Sequence, residues 1–165
     1  MKEQIIICLW LLTSSMFLHS QSDEKHKEQI ESENPVLEFI SSGIYVTSFK
    51  NSENAFGTEF HLTYWFNHKW GGGLSYTAKF EEEETLSDVA LLGSWNPASW
   101  ITINLGPNFG FSGEHRDFEV SAYTEVEVNI RPKEWIHFGP VIGTVIGRNS
   151  EIAFGVHLGF EFDQF

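Results

Sequence analysis

Residues 152–162 read IAFGVHLGFEF. Every second position is large and apolar: Ile152, Phe154, Val156, Leu158, Phe160 and Phe162. Between them stand Ala153, Gly155, His157, Gly159 and Glu161. Side chains alternate between two faces along a strand, whereas a helix repeats every 3.6 residues. The stretch is therefore a strand with one greasy face and one small or polar face.

Working upstream, the same alternation predicts seven more strands: Val36–Lys50, Phe56–Asn67, Gly73–Phe80, Ser87–Trp95, Ile101–Phe111, Phe118–Ile130 and Ile136–Ile146. The pattern weakens at Ser41-Ser42-Gly43, which predicts a bulge, and at Leu91-Leu92, which face opposite ways. The connections fall into two sets. Short turns are expected at His68-Lys69, Asn96–Ser99 and Arg131–Glu134, and loops at Asn51–Ala55, Glu81–Leu86, Ser112–Asp117 and Gly147–Glu151. This is the count of an all-β, eight-stranded antiparallel up-and-down barrel over residues 35–165. Strands of roughly ten residues match the length a tilted strand needs to cross a bilayer.

Alternation alone leaves two barrels open. A transmembrane barrel turns its apolar face to lipid, and a soluble exported, lipocalin-like barrel turns it toward a small apolar ligand. The polar faces carry Gly57, Gly106, Gly110, Gly139, Gly143, Gly155 and Gly159. Glycine weakens an exposed strand surface but suits a narrow interior, which favours the transmembrane form. The tryptophans agree. Trp65, Trp70, Trp95, Trp100 and Trp135 all flank short turns, as the interfacial aromatic rim of a membrane barrel would. By strict parity Trp100 and Trp135 share the inward face. Pro107 and Pro140 fall within strands, each after a glycine, and predict local bulges.

Outside the barrel, residues 1–20 read as a signal peptide: Lys2, the apolar run Ile5–Leu12, and a small-residue site near Ser20. Cys8 lies within it, so the mature chain has no disulfide. Residues 21–34 form a polar, acidic linker. The formal net charge of −13 excludes a nucleic-acid partner, whose phosphates demand a basic surface.

The barrel segments resemble bacterial outer-membrane β-barrels of the small OmpA/OmpX size class. The resemblance is carried by the leader, the alternating strands and the last strand ending GFEFDQF, residues 159–165. The string YWFNHKWG, residues 64–71, is similar to a stretch in other small outer-membrane barrel-domain proteins. The resemblance implies outer-membrane location, lipid as the main partner, a monomer, and Phe165 as the signal read by the barrel-assembly machinery.

Chemistry has little support. His157 and Glu161 lie about 13 Å apart by strand rise, too far to form part of a triad, so a non-enzymatic protein is expected. The inward polar set is Glu59, His61, Lys79, Asp88, Glu119, Glu125, Glu127, His137, His157 and Glu161. Without close ligand spacing in sequence, a hydrogen-bonded lumen network is expected in preference to a metal or other cofactor. Eight strands enclose an interior filled by side chains, so no open pore is expected.

Overall fold

The computed structural model describes residues 35–49, 54–82, 84–111, 113 and 117–163. The expected signal peptide, the linker and Phe165 lie outside them. The strands are β1 (Val36–Ser48), β2 (Asn54–Trp65), β3 (Trp70–Phe80), β4 (Thr85–Ala98), β5 (Ile101–Gly110), β6 (Glu119–Val128), β7 (Ile130–Lys133), β8 (Ile136–Ile146) and β9 (Glu151–Asp163). Apart from β6 and β7, consecutive strands pair antiparallel, and β1 pairs with β9 from Val36↔Asp163 to Ser48↔Glu151. That last pairing closes the sheet. β6 and β7 are two halves of one barrel strand, since both pair with β8. The described residues thus form a closed eight-stranded up-and-down barrel.

The faces settle the choice between the two barrels. Phe154, Val156 and Leu158 are 49%, 68% and 40% exposed, while His157 between them is 3% exposed. Phe39, Phe60, Leu74, Leu105 and Phe138 point outward likewise, with Glu59, His61, Ser75, Asn104 and His137 buried. The soluble ligand-binding alternative is overturned, because the apolar face lines the outside of the barrel.

Strand β1 differs from expectation. Its register with β2 runs unbroken from Val36↔Trp65 to Thr47↔Asn54, so Ser41–Gly43 form no bulge. Alternation instead persists with Glu38, Ile40, Ser42, Ile44 and Val46 turned inward. The apolar residues misled the sequence reading because this interior is partly apolar. Ile44 packs with Val46, Val141 and Ala153, and it fits because its neighbours in both ladders, Gly57 and Gly155, have no side chains.

Gly106-Pro107 and Gly139-Pro140 form no bulges either. Across the first pair the register stays constant from Ala90↔Asn108 to Gly93↔Leu105, and the one slip in the β4–β5 ladder lies at Trp95/Ala98, beside the turn. Across the second, the β6–β8 register continues from Glu127↔Val141 to Ile130↔Phe138. Proline simply withholds a ladder donor. The carbonyls of Leu91 and Val128, on the facing strands, approach Gly106 and Gly139 so closely that a Cβ there would overlap their oxygens.

Three short turns face one way. Asn67 accepts from the amides of Lys69 and Trp70 through its side-chain oxygen, at 2.9 and 3.0 Å, and so closes the β2–β3 turn. The other two turns are Ser99-Trp100 and Glu134-Trp135. They are shorter and later than expected, because pairing runs on to Ala98↔Ile101 and Lys133↔Ile136.

The repeated glycine–proline geometry gives a direct test. Gly139→Ala or Gly106→Ala, by overpacking against a fixed carbonyl, should destabilise the detergent-folded barrel by roughly 1–3 kcal/mol. Gly93→Ala, whose Cβ would meet only Leu105 O at an ordinary 3.6 Å, should stay within about 0.5 kcal/mol. Urea unfolding of the three variants checks this.

Candidate functional site

The lumen holds its polar side chains in three groups, stacked from the turn end to the loop end. At the turn end Glu38 is central. Its Oε2 accepts from Trp65 Nε1 at 2.9 Å, and its Oε1 lies 2.8 Å from His137 Nε2. His137 Nδ1 stands 3.3 Å from His157 Nε2, which is 3.0 Å from Asn129 Oδ1. Asn129 donates to Thr102 Oγ1 at 2.8 Å, and Thr102 donates to Asn96 Oδ1 at 2.7 Å. One consistent tautomer assignment has His137 donating from Nε2 to Glu38 and accepting at Nδ1. Gly159 makes the stack possible, since a Cβ there would run into the His137 ring.

The middle group surrounds His61. Glu59 Oε1 accepts from Ser75, Thr77 and Tyr123 hydroxyls at 2.8, 2.8 and 2.9 Å. Across the lumen, Asn104 Nδ2 donates to Glu125 Oε1 at 3.1 Å and to Glu127 Oε1 at 2.9 Å. His61, Glu125 and Glu127 are each 1% exposed, so whatever charge they carry is balanced inside the barrel.

Toward the loops, Lys79 Nζ lies 3.0 Å from Asp88 and 2.7 Å from Glu151. Glu151 closes this group and escaped the sequence reading, because it lay in a segment read as loop. A cavity of about 30 Å³ runs from here past Asn108 to Tyr123 and Glu59, room for a water or two.

Of the ten expected lumen residues, the barrel brings Glu59, His61, Glu125 and Glu127 together, places His137 and His157 below them, and Lys79 and Asp88 above. Glu119 stands apart at the loop rim, and Glu161 joins the turn-end group, with an oxygen within 4.8 Å of Glu38 and His137. Glu119 accepts from the backbone of Arg148 and Asn149 in the β8–β9 loop, and Glu161 pairs with Arg131 at the turn end. Glu38 was missed for the same reason as the β1 face: Ile40, Ile44 and Val46 masked the polar parity.

The tryptophans divide. Trp70 and Trp95 pair across β3 and β4, stacked at 5.9 Å on the outer surface. Trp100 and Trp135 are 46% and 51% exposed, against the inward parity expected. Each is the second residue of a two-residue turn, so strand alternation does not govern it. Trp135 stacks on outward Phe160, with Lys133 Nζ 5.5 Å from its ring. Trp65 is the correction to the rim: it is 6% exposed, because it continues the inward parity of Glu59, His61 and Thr63 on β2, where it donates to Glu38.

Glu38→Ala should leave the His137 and Trp65 donors buried without an acceptor. Each buried donor left unsatisfied typically costs about 1–3 kcal/mol. Arg131→Ala at the part-exposed rim should cost no more than about 1 kcal/mol. Comparing their denaturant midpoints checks the difference.

No protein-family model and no curated protein matches the chain. Solved structures do. The attachment invasion locus protein Ail of Yersinia pestis aligns at TM-score 0.53 and 13% identity, over 78% of this chain and 99% of that one. The N-terminal β-barrel domain of Pseudomonas aeruginosa OprF aligns at 0.56 and 12%, over 76% and 97%. The outer membrane protein OprG of the same organism aligns at 0.50 and 11%, over 79% and 97%. At such identities the likeness is one of fold, and the fold is that of the small outer-membrane barrels.

Proposed function

We propose that the chain is a non-enzymatic outer-membrane barrel, inserted as a monomer, whose lumen is a packed polar plug rather than a pore. The observation that carries this is the inversion of its faces. A belt of exposed Phe, Leu, Ile and Val surrounds an interior containing Glu38, Glu59, Glu125, Glu127 and three histidines. Contiguous apolar surface on this scale has no stable partner in water, whereas lipid is a matching solvent for it. The closed sheet leaves no free strand edge, which supports a monomer. Trp70, Trp95, Trp100 and Trp135, exposed at the turn end, suit headgroup depth.

Against catalysis stands the arrangement of the histidines. His137 and His157 bond to Glu38, Asn129 and each other. His61 faces glutamates. The bonds of His137 and His157 to these partners support a structural network, with no hydroxyl nucleophile among them.

Val156→Arg tests the membrane reading. Val156 is 68% exposed near the middle of β9. In a bilayer an arginine there should cost roughly 2–4 kcal/mol. On a water-facing strand it would stay within about 0.5 kcal/mol. Folding into lipid vesicles, followed by denaturant titration, measures the difference, and a near-neutral result overturns the proposal. The plug is tested separately in planar bilayers, where wild-type barrel should give no discrete conductance steps.

A further inference from the structure

Two short motifs meet across the lumen: Glu59-Phe60-His61 on β2 and Glu125-Val126-Glu127 on β6. In the ring of strands β2 and β6 are separated by β3, β4 and β5, so they stand on opposite walls. Alternation turns both outer residues of each motif inward. His61 reaches across between them.

The separations are informative. His61 Nδ1 is 3.4 Å from Glu127 Oε1 and 3.6 Å from Glu125 Oε1. A charged N–H···O bond is shorter, about 2.7–2.9 Å, and Nδ1 has no hydrogen-bond partner. Glu127 Oε2 and Asn104 Oδ1, equally buried, also lack one. Yet the chain holds the two glutamate oxygens side by side, because Asn104 Nδ2 bonds both. Tetrahedral ligands about 2.0–2.2 Å from a zinc-class ion stand roughly 3.3–3.6 Å from each other. The observed nitrogen–oxygen distances fall in that range.

The other face of His61 fits the same chemistry. Metal-bound histidine usually donates its second N–H to a carboxylate, which fixes ring and tautomer. His61 Nε2 faces Glu59 Oε1 at 3.4 Å, longer than a bonded contact, and Tyr123 Oη at 3.5 Å, and Glu59 is itself held by Ser75, Thr77 and Tyr123. Charge points the same way. Three buried carboxyl groups surround one imidazole, and ionised together they would exceed the single positive charge it can carry, so a divalent cation would match them.

We propose that the lumen binds a zinc-class divalent cation through His61 Nδ1, Glu125 and Glu127, with Glu59 orienting His61. The site goes beyond the membrane reading, since it needs only the folded barrel. A cavity reaches from the Lys79–Asp88–Glu151 end as far as Glu59 and Tyr123, which border the site. The turn-end group differs. There His137 and Glu38 stand 2.8 Å apart, an ordinary hydrogen bond, and His137 Nδ1 is taken by His157.

The test uses the full chain refolded in detergent with equimolar Co²⁺, folding being verified by heat-dependent gel migration. Wild type should develop the visible absorption of tetrahedral Co²⁺, and equimolar Zn²⁺ should bleach it and raise the melting temperature. Glu125→Gln/Glu127→Gln should abolish the absorption, and Glu38→Gln at the turn end should keep it. Folded wild type with neither the absorption nor a Zn²⁺-dependent melting shift overturns the proposal. So does undiminished binding by the double variant, or loss of binding in Glu38→Gln alone. If the double variant does not fold, the wild-type measurement decides by itself.

Discussion

Pairing of β1 with β9 along their whole length is the constraint on which the rest depends. It removes both sheet edges and leaves an interior only wide enough for side chains to meet from opposite walls. An inward polar group in such a space has no bulk water to turn to. Its partners must come from strands far away in sequence, as Tyr123 does for Glu59 and Glu38 does for His137.

The interior is therefore specified by complementary sizes as much as by polarity. Ile44 lies between Gly57 and Gly155, and the His137 ring occupies the space left by Gly159. Glycine beside a large side chain keeps the strands at barrel spacing while the lumen remains filled. The two glycine–proline pairs follow a related logic on the backbone. Where proline withholds its donor, the facing carbonyl moves toward a glycine that has no Cβ to oppose it.

Outside, the constraint is reversed. Side chains such as Phe56 and Val156 stay 70% and 68% exposed, and the stability of the barrel rests on the ladder and the lumen. A soluble sheet of this size would bury one apolar face against another layer. Here the second layer is the surrounding medium. The acidic balance of the chain is compatible with this, because several of its carboxylates are enclosed within the barrel.

Period-two alternation was enough to determine the strands, their number and the up-and-down order, because it is a local consequence of backbone geometry. Glycine on the polar faces also told correctly which face lies inside. Where the local signal was weak, reading failed: β1 has apolar residues on its inward face, and Trp100 and Trp135 sit in turns, where parity has no meaning. Trp65 shows the opposite case: parity along β2 places it inward with Glu59, His61 and Thr63, and only its nearness to a turn suggested the rim. Only closure of the barrel decided which polar residues meet. Glu59-x-His61 and Glu125-x-Glu127 are more than sixty residues apart in sequence, and no spacing along the chain relates them. Their encounter across the lumen depends on ring order and stagger, which are properties of the closed sheet and not of any one strand.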